Sequence, residues 1–233
     1  MQRLLIMRVL AIDTALKACS AAVLDTGRRG IAASETIAMA RGHAEALMPL
    51  IARVMDIADV EFAALDRIAV TTGPGSFTGL RVGISATRGI ALAAGKPAIG
   101  LSTLAGFAAP LIAEDDSTHV VAVIDARHDN VYLQVFGIGG RTLVAPRIAT
   151  LRDAVRAAMT GPARIVGSAA NLLAAAWPRG VDQPIAVEQC AAPDIGWIAR
   201  LGAAATDGSG PPKPLYLRAP DAQPQDAARL PRR

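Results

Sequence analysis

Residues 8–38 read RVLAIDTALKACSAAVLDTGRRGIAASETIA. Apolar residues crowd 8–14, 19–25 and 30–38, with short polar or glycine-bearing breaks between them. The first two runs predict strands joined by a turn through Leu16 and Lys17. Gly27, Arg28 and Arg29 predict a hairpin turn into the third. Connections this short join only antiparallel neighbours, so the three strands form a meander.

The pattern then changes period. Residues 43–58 (HAEALMPLIARVMDIA) place Leu47, Leu50, Ile51, Val54 and Ala58 on one helical face. A short buried strand at 67–72, a helix at 76–94, a strand at 97–101 and a helix at 102–113 follow. Strands reached through helices add in parallel. The order β-β-β-α-β-α-β-α therefore predicts a mixed five-stranded sheet, the ribonuclease-H-like unit of the actin and hexokinase group. The second half reads as a reduced copy: strands at 119–125, 130–137 and near 143–148, a helix at 150–160, a strand at 164–167 and a helix at 168–177. A last helix spans about 193–205, with Asp194 placed to cap it. The expected fold is α/β, actin-like, with two lobes that each hold a mixed sheet flanked by helices. The expected division is 1–113 for the first lobe, 114–218 for a smaller second lobe, and a disordered tail at 219–233.

Of the 233 residues, 52% are hydrophobic but only 3% aromatic, so small aliphatics must fill the core. The net charge is +4, and part of the excess lies in the tail at Arg229, Arg232 and Arg233. No long Lys/Arg run occurs and aromatics do not interleave with the basic residues, so the signature of a direct nucleic-acid reader is missing. Cys19 and Cys190 lie far apart and predict free thiols in a reducing compartment. The start, MQRLLIMRVLAID, lacks the cleavage site of a signal peptide, and no apolar run is long enough to span a membrane. A cytoplasmic location is expected, with Met7 as an alternative start.

The sharpest local motif is TTGPGSFTGLRVG, residues 71–83, between a strand and a helix. Backbone N–H groups at a helix start attract anions. The spacing of Gly73, Gly75 and Gly79 nevertheless fits neither a dinucleotide fingerprint nor a Walker A loop. The structural alternative is a turn set by Pro74 with Ser76 capping the helix. Along that helix Gly79, Gly83, Ala86, Ile90 and Ala93 recur at three or four residues. Glycine inside a helix costs up to about 1 kcal/mol, so the stripe marks a close approach, either to this chain's own sheet or to a partner. Met48 and Met55 suggest a second apolar side on helix 43–58, and a helix apolar on two sides needs two partners. Asp13 ends the first strand, where a turn role competes with that of the acid orienting a metal-bound nucleotide. No second carboxylate lies beside it in 14–22. His43, His119 and His128 show no ligand spacing, which speaks against a transition-metal site.

The segments AIDTALKACSAAVLD, RGHAEALMPLI, TTGPGSFTGLRVGISATRGIALAAGKPAIGLSTL and VIDARHDNVYLQVF together resemble the TsaB (YeaZ) family. The likeness runs from Met7 to about Val135, and LYLRAPDA resembles the family's C-terminal end. It implies a part in forming threonylcarbamoyladenosine in tRNA, as partner of TsaD, the catalytic paralogue, and of the ATPase TsaE. It implies pairing through helices 43–58 and 76–94, with Leu47, Met48, Ile51, Met55, Gly79, Gly83, Ala86 and Ile90 at the contact. It also implies a homodimer through the same face when the chain is alone. TsaD-like proteins carry a His-x-x-x-His metal pair where this chain has Thr103 and Phe107. Their glycine-rich second loop is reduced here to GSAAN, residues 167–171. The implied role is therefore a non-catalytic scaffold with no cofactor of its own, ATP and metal sitting on partner subunits and tRNA being met indirectly. Arg127, in IDARHDN, would reach a phosphate or carboxylate across the subunit boundary, or else serve only as a surface turn residue. The alternative function is an actin-like-fold ATP-dependent phosphotransferase or a metallopeptidase.

Overall fold

The computed structural model describes residues 6–28, 30–206 and 210–218. The expected tail at 219–233, Arg29 of the expected turn into the third strand, and the segments 1–5 and 207–209 lie outside the described residues. Strands β1 (Arg8–Asp13), β2 (Ala18–Asp25) and β3 (Gly30–Ala38) form the predicted meander, both pairings being antiparallel. Helix α1 (His43–Ala58) leads to β4 (Arg67–Gly73), helix α2 (Phe77–Ala94) to β5 (Ala98–Ser102), and α3 (Thr103–Glu114) follows. β4 lies parallel to β1, and β5 parallel to β4, so the sheet order is β3-β2-β1-β4-β5.

The second half repeats this plan. β6 (His119–Asp125), β7 (Asn130–Phe136) and β8 (Thr142–Thr150) are antiparallel; α4 (Leu151–Ala158) then leads to β9 (Ala163–Gly167), and α5 (Ala170–Ala175) to β10 (Ala186–Gln189). β9 and β10 add in parallel, giving β8-β7-β6-β9-β10, the same order as in the first sheet. Two mixed five-stranded sheets of identical topology make the actin-like fold. β10 escaped the sequence reading because its four residues sit at the sheet edge, mostly exposed, and the apolar run that marks them, 185–187, is only three residues long. The final helix, α6 (Ile195–Ala204), starts at Asp194, whose carboxylate accepts from the Trp197 N–H at 3.1 Å. Ser76, Ser102 and Thr150 cap α2, α3 and α4 in the same manner.

Four apolar clusters order the layers. Leu10, Ile12, Cys19 and Val70 of the first sheet pack against Leu47, Ile51 and Val54 of α1 and Leu80 and Ile84 of α2. The opposite face of that sheet, with Val9, Ala11 and Ala69, packs on Ile195, Ile198 and Ala199 of α6. Phe107 and Leu111 of α3 pack on Val120, Ala122 and Ile124 of the second sheet, whose other face holds α4 and α5. This packing crosses the expected division between residues 113 and 114. α3 belongs with the second sheet and α6 with the first. The two helices lie against each other so closely that a Cβ on Gly106 would collide with Ile198. A helix that crosses between lobes is covered from both sides, which is why α3 is buried over most of its length.

Candidate functional site

The TTGPGSFTGLRVG motif docks onto the end of β1. The Ser76 N–H donates to the Ala15 carbonyl at 2.7 Å, and the Thr14 hydroxyl donates to the Gly79 carbonyl at 2.7 Å. A Cβ on Gly75 would strike the Ala15 carbonyl. One on Gly79 would strike the Thr14 carbonyl, and one on Gly83 the Thr14 hydroxyl. The three glycines therefore let the start of α2 lie directly on the 13–15 turn. Ser76 and Gly79 N–H groups are already spent, on Ala15 and on the Ser76 hydroxyl.

Asp13 is fully buried beneath this junction. Its Oδ1 accepts from the Ala15 N–H at 3.0 Å and from the Thr71 hydroxyl, while Oδ2 is buried with no hydrogen-bond partner. Burial raises its pKa; the Thr71 and Ala15 hydrogen bonds and the nearby His43 pull the other way and lose. His43 itself is anchored through Nε2 to the Leu16 carbonyl at 3.1 Å. Burial, with Asp13 and Glu35 nearby, pushes the Cys19 thiol up to about 11, so it is a core residue and not a nucleophile. Among the described residues, no three of His, Cys, Asp and Glu converge as metal ligands would.

The residues expected at a partner contact divide into two sets. Leu47, Ile51, Met55, Gly79 and Gly83 face this chain's own core, which corrects their assignment to an external surface. Spacing defines a helical face but not the neighbour that covers it. Here the neighbour is the first sheet and the turn after β1, 65 residues upstream in the case of the Thr14–Gly79 contact. Met55 is 4% exposed and packs inward, whereas Met48, one heptad earlier, is 49% exposed. Ala86 and Ile90 are half-buried at the margin of the core. The outward face of α2 runs instead through Arg81, Ser85, Gly89 and Leu92, all exposed, with Leu92 at 86%. Gly89 lies outside the glycine stripe that the spacing marks. It is a glycine inside a helix whose Cβ would meet nothing within 4 Å. On α1 the outward side carries Met48, Pro49, Ala52 and Ile57.

Thr103 and Phe107 are both buried; Phe107, at 2% exposed, is part of the apolar packing between α3 and the second sheet. Gly167 has φ +126°, and a Cβ there would strike the Val123 carbonyl, so this glycine serves the approach of β9 to β6. Arg127 is exposed on the β6–β7 turn. It is the first of three successive residues with left-handed φ: 61° for Arg127, 53° for His128 and 57° for Asp129. Such a run of non-glycine residues is strained; bonds from the Arg127 N–H to Asp125 Oδ1 at 2.8 Å and from the Asn130 N–H to the Arg127 carbonyl at 3.1 Å hold it.

Sequence reasoning gave 206–214 only as a loop and LYLR at 215–218 only as a family resemblance; residues 211–218 cross the first lobe as a strap. The Leu215 N–H donates to the Thr72 carbonyl at 2.8 Å, at the point where the β4–β5 register shifts. Arg88 Nε donates to the Pro212 carbonyl at 3.0 Å, and Arg218 Nη1 reaches the Ala126 carbonyl of the second lobe at 3.2 Å. Proline-rich and without period, the strap carries no local signal; its partners lie far away in sequence.

Comparison with known proteins agrees with this architecture. Residues 31–192 match the family model described as TsaD, tRNA N6-adenosine threonylcarbamoyltransferase. The chain is 37% identical over 126 residues to the tRNA threonylcarbamoyladenosine biosynthesis protein TsaB of Escherichia coli, covering 54% of this chain and 53% of that protein. The match thus spans about half the length of this curated relative. An uncharacterized Mycobacterium tuberculosis protein is 33% identical over 225 residues, 96% of this chain and 98% of its own length. Among solved structures, YeaZ from Pseudomonas aeruginosa superposes with a TM-score of 0.77 at 29% identity, over 91% of this chain and 100% of that one. No described helix is long and apolar enough to cross a membrane. The chain belongs to the family that the TsaD model describes and, within it, to TsaB (YeaZ).

Proposed function

We propose that this protein is a non-catalytic subunit that binds TsaD and, with TsaE, supports the ATP-dependent transfer of a threonylcarbamoyl group to adenosine in tRNA. The contact is made by the outward faces of α1 and α2. Gly89 is the observation that carries this reading. A glycine in an exposed helix interior costs about 1 kcal/mol relative to alanine, and the other α2 glycines offset that cost through contacts within the chain. Gly89 has no such contact. Its return is the close approach of another backbone, with Leu92, Met48 and Ile57 as the apolar surface around it.

The non-catalytic part of the reading is supported by chemistry at two positions. Phe107 has no donor atom and is locked into the core, and Thr103 offers one buried hydroxyl, so the pair cannot replace two imidazoles. Residues 14–22 offer no second carboxylate beside Asp13, and burial disfavours its charged form. ATP and metal are therefore assigned to the partner subunits, tRNA is met through them, and the lone chain pairs with itself through the same helices. The setting is the cytoplasm, where tRNA is modified.

The test is calorimetric titration of the purified chain with TsaD. The wild type should bind, and Gly89→Leu should weaken binding by about tenfold or more through a clash in a packed contact while its melting temperature holds. Equal affinity of the two proteins would remove the basis for this interface.

A further inference from the structure

The outward face of α2 that carries Gly89 also carries a guanidinium braced on two sides. Arg81 lies eight residues earlier, about 12 Å along the helix, with exposed Ser85 between them on the same face. Its guanidinium carbon sits 3.8 Å from the centroid of the Phe77 ring. Its Nε donates to the Tyr216 hydroxyl at 3.2 Å, and the Tyr216 ring lies 5.2 Å from that of Phe77 at 31°. Nη1 and Nη2 point to no partner among the described residues, and Arg81 is exposed. Two of the chain's six Phe and Tyr residues are thus spent, on the surface, on holding one arginine.

We propose that Arg81, braced by Phe77 and Tyr216, is a preformed fork for a carboxylate of the protein that docks on the α2 face. The proposal rests on the partner-binding reading and adds to it the chemistry of one contact. It also adds a dependence on the 211–218 strap, which supplies Tyr216. Exposed arginines ordinarily lose about 2 kcal/mol of rotamer freedom on binding; here stacking and the Tyr216 hydroxyl have already fixed the side chain. The two free Nη groups present the planar geometry that a carboxylate accepts bidentately. Charge favours this occupant, since α2 contains two arginines and no acid. The second, Arg88, is not a reader, because it turns onto the Pro212 carbonyl. Phosphate of RNA would present the same oxygens. However, a backbone reader needs several free cations, whereas the other arginine of this helix is spent on Pro212 and the fork's neighbours on its own face, Gly89 and Leu92, are apolar. Arginine and tyrosine next to an apolar patch is the composition of a protein–protein hot spot.

The experiment titrates the full-length chain against TsaD at low and moderate salt, with tRNA binding to the chain measured in parallel. Arg81→Ala should fold normally and bind TsaD about tenfold or more weakly. Arg81→Lys should remain about fivefold weak, because it keeps the charge but loses fork and stack. Tyr216→Phe should lose about two- to fivefold by freeing Nε while the ring stays. Wild-type affinity for Arg81→Ala, or full rescue by Arg81→Lys, overturns the fork. Loss of tRNA binding with TsaD affinity intact overturns it in favour of phosphate. If Gly89→Leu weakens binding and Arg81→Ala does not, the interface stands and the fork falls; if neither does, both fall.

Discussion

Gly83 and Gly89 lie six residues apart on one helix, and substitution to alanine should move stability in opposite directions. A Cβ on Gly83 collides with the Thr14 hydroxyl and comes within 3.5 Å of Val70 Cγ2. Thr14 must then rotate and abandon its 2.7 Å bond to the Gly79 carbonyl, which is buried. Overpacking of this kind costs about 1–3 kcal/mol, and an unmade buried hydrogen bond costs about as much again. The gain in helix propensity returns about 1 kcal/mol. Gly83→Ala should therefore destabilise by about 1–5 kcal/mol. Gly89→Ala meets no atom within 4 Å, so only the propensity gain of about 0.5–1 kcal/mol applies and the variant should be more stable than wild type. Urea and thermal denaturation of the dilute chain read both effects, at about 2–4 °C per kcal/mol for a chain of this length. A Gly83→Ala protein as stable as wild type, or a destabilised Gly89→Ala protein, would refute the assignment of inward and outward faces.

Asp13→Asn should reveal the cost of the buried acid. The folded-state pKa is raised, so between the unfolded value and the folded one the native state holds the extra proton and wild-type stability falls as pH rises. The substituted amide keeps an acceptor for Thr71 and Ala15 but has no such slope, so the variant should gain on wild type with rising pH across that window; superimposable stability–pH curves would contradict this. Arg164 donates from Nη2 to the Leu111 carbonyl at 2.7 Å and to the Asp115 carbonyl, and from Nε to the Thr118 hydroxyl at 3.0 Å, tying the end of α3 to β9. Arg164→Met should cost about 1.5–3 kcal/mol in urea denaturation, and a change near zero would mean that the guanidinium is dispensable between α3 and β9. Arg127→Ala should slow tRNA modification in the reconstituted system if the turn touches a partner; an unchanged rate would leave it a turn residue.

Local signals made much of the fold legible. Helix 43–58 was readable to the residue, because its period is clean and Asp59, in the left-handed region, ends it. The meander was readable because apolar runs alternate with short polar breaks, and the repeated topology followed from repeating that pattern. What stayed hidden depends on contacts distant in sequence. The glycine stripe announced a close approach but not that its object was Thr14. α3 and α6 gave no sign that they exchange lobes, since apolar residues on a helix do not name the sheet they cover. The strap at 211–218 is held by Thr72, Arg88 and Ala126, none of which lies near it in the chain. For the site, the buried fate of Leu47, Ile51 and Met55 and the open surface at Gly89 could be separated only by knowing which side the sheet occupies.

The central claim is that this chain serves the transfer reaction by binding and not by chemistry of its own. Threonylcarbamoyl transfer to unmodified tRNA, reconstituted from TsaD, TsaE and ATP with and without this protein, tests it most directly. The account predicts transfer that depends on the chain, that is lost with Gly89→Leu, and that survives Asp13→Asn. Transfer at full rate without the chain, or its abolition by Asp13→Asn in a normally folded protein, would contradict it.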